Sequence, residues 1–159
     1  MSEPASKRPS FLADAMLGRL GKWLRLLGYD TVYINDITDE AVLSLAEAES
    51  RIILTRDTLL VQRKRCRKFI FIRSDQWHEQ LKQVYKEAGL TTERALTLCA
   101  ACNHPLRRVE KETVKSLVPP YVHETQTDFS QCDRCMRVYW GATHAKRIFE
   151  ELKRLEKEH

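Results

Sequence analysis

Phe11-Leu12-Ala13-Asp14-Ala15-Met16-Leu17-Gly18-Arg19-Leu20 opens the stretch that decides the fold, and Gly21-Lys22-Trp23-Leu24-Arg25-Leu26-Leu27-Gly28 completes it. Three apolar residues run without polar alternation and stop at Asp14. Leu17, Leu20, Leu24 and Leu27 then recur at helical spacing, and Gly28 stands where helices commonly end. An unalternated apolar run followed by an amphipathic helix is the opening of a β-α unit whose strand is covered on both faces.

The same alternation continues outward from this stretch. Thr31-Val32-Tyr33-Ile34 reads as a second strand, and Thr38 is placed to cap a helix that buries Val42, Leu45 and Ala46. Ile52-Ile53-Leu54-Thr55 is a third strand ending at Arg56-Asp57. A short basic helix is expected next, with Arg63, Lys64, Arg65, Arg67 and Lys68 crowded around Cys66. Phe69-Ile70-Phe71-Ile72 is a fourth strand. Ser74 or Asp75 is placed to cap a helix with Leu81, Val84, Tyr85 and Ala88 inward, stopped by Gly89. Strand and helix in strict alternation predict an α/β fold, a parallel sheet flanked by helices.

The pattern changes after residue 90. We expect a loose tail over residues 1–10, the α/β domain over 11–90, a junction over 91–98, a cysteine-bearing segment over 99–145 and a charged terminal helix over 146–159, apolar at Ile148, Leu152 and Leu155. Pro119-Pro120 interrupts the cysteine segment, where an inserted hairpin is expected. Hydrophobic residues make up 43% of the 159-residue chain, enough for a packed core. No apolar run approaches the roughly 20 residues that span a bilayer. The polar first ten residues lack the apolar stretch of a secretory signal, so a cytoplasmic protein with no membrane partner is expected. A net charge of +5 permits a nucleic-acid partner without requiring one.

Four of the five cysteines form two pairs, Cys99-Ala100-Ala101-Cys102 and Cys132-Asp133-Arg134-Cys135. C-x-x-C puts two thiolates on one tight turn, and two such turns complete a tetrahedral zinc site. Without an export signal, metal is favoured over disulfides. Four protein ligands close the coordination sphere, so the expected zinc is structural. Tyr121, Phe129, Tyr139 and Trp140 are suited either to stacking on bases or to padding the core of a small zinc ribbon. Padding is the expected role of Phe129 and Tyr139. Cys66 stands alone among cations that would lower its pKa, and reads as an incidental thiol.

In parallel α/β sheets, ligands gather beyond the C-terminal ends of the strands. Asp14 and Asp57 follow strands directly, Asp39 and Glu40 open the helix after the second strand, and Asp75 opens the one after the fourth. Carboxylates gathered at one edge repel each other unless a cation is present. Mg²⁺ or Mn²⁺ prefers such oxygen ligands, activates water and stabilises phosphodiester displacement. Metal-assisted phosphodiester hydrolysis is therefore one reading. The other is that these acids are caps and helix-dipole partners, for which Asp and Glu are favoured at helix starts in any case. Arg19, Lys22 and Arg25 on the first helix, and Arg56 beside Asp57, are candidates for phosphate contacts.

Taken together, these motifs resemble the Mut-seven C-terminal RNase domain family. The resemblance lies in the stretch from Phe11 to Asp30, in Leu54-Thr55-Arg56-Asp57, and in Cys99 to Cys102 with Asn103 and Pro105-Leu106. It continues in Val118-Pro119-Pro120-Tyr121-Val122 and in Val138-Tyr139-Trp140-Gly141-Ala142-Thr143-His144. His104 departs from it, standing where glycine is expected. The resemblance implies a PIN-like nuclease fold joined to a zinc ribbon. It also implies a ribonuclease using Mg²⁺ or Mn²⁺, with Asp14 and Asp57 as metal-binding acids and Asp39 or Glu40 contributing. RNA, single-stranded by preference, is the expected substrate. A non-catalytic RNA-binding module with a structural zinc ribbon, and a zinc-ribbon protein-interaction adaptor, are the rival expectations.

Overall fold

The computed structural model describes residues 8–141 and 143–156. The proposed tail up to residue 7 and the last three positions of the expected terminal helix, 157–159, lie outside the described residues. The chain clusters into two compact units. The first holds the chain up to Leu24 together with Tyr29–Leu90, and the second holds Arg25–Gly28 together with the chain from Thr91 onward.

Strands β1 (Phe11–Ala13), β2 (Thr31–Tyr33), β3 (Ile52–Thr55) and β4 (Phe69–Phe71) form the sheet of the first unit. Their order is β2-β1-β3-β4 and every pairing is parallel. The expected α/β architecture is therefore present. The connecting helices are α1 (Gly18–Leu26), preceded by a 3-10 turn at Ala15–Leu17, then α2 (Asp39–Glu49), α3 (Thr58–Val61) and α4 (Trp77–Glu87). Right-handed crossovers that run in opposite directions from β1 must place α1 and α2 on opposite faces. The packing agrees. A methyl group at Gly21 of α1 would touch Ala13, Thr31 and Tyr33. Leu12 and Ile53 point the other way, into a cluster with Val42, Leu43 and Ala46 of α2, Leu60 of α3 and Cys66. Burial of apolar side chains on both faces is the main stabilising term, and it explains why β1 reads as three consecutive buried residues.

Local chemistry sets the helix boundaries. Thr38 caps α2 as expected, its side chain accepting from the Ala41 amide. Two expectations fail here. The third helix has only four residues, ending at Val61, so the basic cluster 63–68 lies in the loop that follows it. A four-residue helix closes too few hydrogen bonds to extend into a run of like charges. The residue that caps α4 is Gln76, which makes no side-chain cap bond, rather than Ser74 or Asp75. Ser74 instead accepts from the Gln76 amide and so forms a turn ahead of the helix. Buried Gln83 of α4 donates to Phe71 O and accepts from the Arg73 amide, tying the helix to the end of β4.

Strands β5 (Leu106–Val109), β6 (Phe129–Cys132) and β7 (Val138–Trp140) form the antiparallel sheet of the second unit. The segment between β5 and β6 is not a simple hairpin insertion. It contains a 3-10 turn at Lys111–Val114 and helix α5 (Pro120–Thr125), with Pro119 as N-cap and Pro120 in the first turn. Val114, Val118 and Val122 from this excursion pack on Phe129 and supply the core that a three-stranded sheet lacks by itself. Terminal helix α6 (Thr143–Glu156) begins ahead of the expected start and buries Ile148 and Leu152. Gly28 has φ +90°, and a Cβ there would lie 2.2 Å from Arg94 O, so only glycine fits this crossing. No described helix is long and apolar enough to cross a membrane.

Candidate functional site

β1 and β3 are the adjacent central strands. From β1 the chain moves outward to β2 on one side and then returns across it to β3 on the other. In open α/β sheets, ligands bind beyond the strand ends where strand order reverses in this way. Asp14 follows β1 and Asp57 caps the helix after β3, so both acids stand at the C-terminal edge of these adjacent strands. The Asp14 amide donates to Leu54 O at 3.0 Å, continuing the ladder to the edge. Asp14 Oδ1 accepts from the Ala15 amide at 2.7 Å and Oδ2 from the Thr55 hydroxyl at 2.8 Å. The same Thr55 oxygen accepts from the Asp57 amide at 2.9 Å. Thr55 is fully buried, and it links the backbone of one acid to the carboxylate of the other. Asp57 Oδ1 caps α3, accepting from the amides of Leu59 and Leu60. Tyr33 at the end of β2 donates to Ala15 O.

The remaining expected acids do not close on this pair. Among the described residues, no set of three acidic or histidine side chains has ligand atoms within 4.8 Å of one another. Asp39 is exposed at the start of α2. Glu40 is paired with both Arg63 and Arg65, and hydrogen bonding from Arg63 holds its carboxyl below the usual range. Asp75 is exposed and accepts from the Gln76 side chain. Two large apolar side chains that follow the acids in sequence are exposed. Met16 and Leu59, each two residues beyond an acid, are 80% and 72% exposed. Helical periodicity alone would have placed Leu59 in the core.

The second constellation is the cysteine cluster. The ligand atoms of Cys99, Cys102, Cys132 and Cys135 all lie within 4.8 Å of one another, with Cys99 Sγ and Cys135 Sγ 3.6 Å apart. Disulfide sulfurs sit at about 2.05 Å. Sulfurs around a tetrahedral zinc, each at about 2.3 Å from the ion, would lie about 3.8 Å apart. The cluster therefore has metal-site spacing, and its all-sulfur donor set suits zinc.

The two turns are built alike. Cys99 and Cys132 each donate backbone N–H to the residue five positions on, His104 and Arg137, and each accepts from the fourth, Asn103 and Met136. Asn103 and Met136 both adopt left-handed backbone, φ +62° and +65°. Amide donors also reach the sulfurs, from Cys102 to Cys99 and from Arg134 and Cys135 to Cys132. Burial pushes the Cys99 thiol up, but bonds from Tyr139 and from the Cys102 and Ala101 amides bring it down to about 7. The Cys135 sulfur, burial and the Cys99 charge push Cys102 up to about 12. Four neighbouring thiols cannot all ionise without a cation to offset their repulsion.

The family model of the Mut7-C RNAse domain matches residues 9–152. The chain belongs to that family. No curated protein and no solved structure matches it.

Within this Mut7-C chain, Tyr139 does more than pad the ribbon core. Its hydroxyl accepts from the Ala100 amide at 3.0 Å and lies 3.2 Å from Cys99 Sγ. Burial and Cys99 push its pKa well up, so it remains a donor toward the thiolate. The candidate phosphate-binding cations fare differently from one another. Arg25 donates to Ala100 O and Ala101 O at the first cysteine turn. Arg56 donates to Ile72 O and Arg73 O beyond β4. Both guanidiniums therefore hold backbone. Lys22 is exposed, and Arg19 lies over the Trp77 ring, 4.9 Å from its centroid, where Trp77 also stacks on Trp23. Cys66 is buried among apolar residues, and burial pushes its thiol up, the opposite of a cation-activated cysteine.

Proposed function

We propose that this Mut7-C domain is a metal-dependent ribonuclease, with Asp14 and Asp57 as the acids that hold Mg²⁺ or Mn²⁺ and with a structural zinc on the four cysteines. The carrying observation is the meeting of two acid-bearing corners through Thr55 at the point where strand order reverses, in a chain of an RNAse-domain family. Two carboxylates suit Mg²⁺, which commonly takes one or two from the protein and fills its remaining positions with water and substrate phosphate. A divalent ion bound there would activate the attacking water and offset charge on the phosphodiester during in-line displacement, leaving a 5′-phosphate and a 3′-hydroxyl.

The side chains divide the remaining work. Thr55 holds Asp14 through the hydrogen bond to Oδ2, which would preorganise that carboxylate for the ion. Met16 and Leu59 offer apolar surface to bases or sugars beside the scissile bond. Arg19 and Lys22 on α1 are the cations for backbone phosphates. Unstacked bases suit exposed apolar contacts, which supports a single-stranded substrate.

A second reading has its own observation: both carboxylates already cap helical turns, and among the described residues no third acid joins them. On that reading the domain binds RNA without cutting it. Cleavage of an end-labelled RNA pool in Mn²⁺ or Mg²⁺ by the zinc-loaded chain separates the two. The native chain should cut, and Asp14→Asn or Asp57→Asn should slow cutting by about a hundredfold or more, the scale of losing one preorganised electrostatic contact. RNA retained uncut by the native chain, or equal cutting by the variants, favours the non-catalytic reading.

A further inference from the structure

Three aromatic rings stack in the first unit. Trp23 of α1 is 7% exposed and lies nearly parallel to Trp77, the first residue of α4, with ring centroids 5.1 Å apart and planes 10° apart. His78 also lies flat on Trp77, at 3.6 Å and 28°. Two rings this close to one indole would collide if they shared a face, so they take opposite faces and the order is Trp23, Trp77, His78. Exposure rises along that order. Trp23 is buried, Trp77 half-buried and His78 exposed. The outer face of the imidazole is the open end of the stack.

Cations border it. Arg19, one turn before Trp23 on α1, places its guanidinium 4.9 Å from the Trp77 centroid, and Lys22 is exposed on the same helix. Among the described residues, neither side chain makes a hydrogen bond or an ion pair. The acids at the start of α4 do not neutralise them, since Glu79 pairs with Lys82 and Asp75 accepts from Gln76. Helices α1 and α4 both begin at the C-terminal edge of the parallel sheet, the edge that carries Asp14 and Asp57. A flat ring open on one side, with guanidinium and ammonium groups beside it, suits an unstacked base joined to phosphodiesters. Every base has a π-face, so the contact tolerates any sequence, but bases inside a duplex cannot make it.

We propose that the Trp23–Trp77–His78 stack is a base platform: an unpaired RNA base extends it on His78, and Arg19 and Lys22 hold the adjoining phosphates. The proposal deepens the ribonuclease reading and rests on it for the identity of the strand. The two tryptophans hold the platform in place, and His78 is the ring that touches the base.

The test uses the zinc-loaded full chain carrying Asp14→Asn, so that RNA survives, and follows the fluorescence polarisation of labelled probes. These are a short single-stranded oligoribonucleotide, the same sequence in a duplex, and a same-length chain of abasic spacers that keeps the phosphates. The single strand should bind most tightly. His78→Ala should weaken it about tenfold, the loss of about one base contact, and leave the abasic chain unaffected. His78→Phe should restore the affinity. Arg19→Gln should weaken the single strand and the abasic chain alike, and lower the slope of log affinity against log salt by about 0.7. Near-ultraviolet circular dichroism, which reports the tryptophan stack, checks folding in each variant. The proposal is overturned if no probe binds, or if the abasic chain or the duplex binds as tightly as the single strand. It is equally overturned if His78→Ala keeps full affinity for the single strand or weakens the abasic chain as much. An unchanged salt slope in Arg19→Gln overturns the phosphate contact. If the native chain fails to cut RNA while binding still depends on His78, the ribonuclease reading falls and the platform stands. Cutting by the native chain with His78→Ala at full affinity does the reverse.

Discussion

Thr55 is the residue on which the geometry of the acid edge turns. Its hydroxyl has two jobs that a hydrocarbon cannot do, donating to Asp14 Oδ2 and accepting from the Asp57 amide. Thr55→Val keeps the shape and removes both bonds in a buried position. Leaving those partners unsatisfied should cost about 1–3 kcal/mol of folding stability in urea titration. It should also weaken Mn²⁺ binding followed by calorimetry, and Thr55→Ser should restore both. Unchanged stability and metal affinity in the valine variant would remove Thr55 from the site. The motif Leu54-Thr55-Arg56-Asp57 was legible in the sequence, but the roles inside it were not. Arg56 reads as a phosphate ligand because it adjoins Asp57. In the fold it turns away to the carbonyls of Ile72 and Arg73, since adjacent residues leaving a strand point to opposite sides. Tyr139 was equally illegible as a partner of Cys99, because 40 residues separate them.

At the scale of elements, the short strands of the parallel sheet need anchoring at both ends. Arg51, between α2 and β3, performs this at the end opposite the acids. Its side chain is only 10% exposed, donates to Phe11 O and Asp30 O, and pairs with the carboxylates of Asp30 and Glu49. The two carboxylates hold the guanidinium charged against the cost of burial. Arg51→Met keeps much of the packing but removes the guanidinium donor to Phe11 O and Asp30 O and the cation between Asp30 and Glu49. It should destabilise the chain by about 1–3 kcal/mol in thermal or denaturant unfolding. A variant as stable as the native chain would show that these contacts are ornamental. The elements themselves were largely legible, because unalternated apolar runs and helical repeats report burial directly. The extent of the expected short third helix was not. Leu59 and Leu60 look alike in sequence, yet Leu60 is buried and Leu59 is 72% exposed, since a helix stopped at four residues presents only one inward position.

For the whole molecule, metal should decide whether the second unit holds its structure. Among the described residues a small apolar cluster of Val114, Val118, Val122 and Phe129 backs its three short strands, and both cysteine turns sit at one end of that sheet, where Leu106 pairs with Cys132. Binding free energy at such a site is folding free energy. Stripping zinc with a strong chelator, or Cys132→Ser, should therefore abolish amide protection in β5, β6 and β7 by hydrogen exchange, and added zinc should restore it to the native chain. Full protection in the metal-free chain would make the cysteines incidental to the fold. The sequence by itself determined the α/β alternation, the change of style after residue 90, and the four thiols. Each of these depends on local periodicity or on spacing within a turn. Only the tertiary structure decided that Thr55 links Asp14 and Asp57 and that Arg25 and Arg56 hold backbone carbonyls. Those outcomes depend on strand order and crossing side chains, which bring together residues that no local pattern relates.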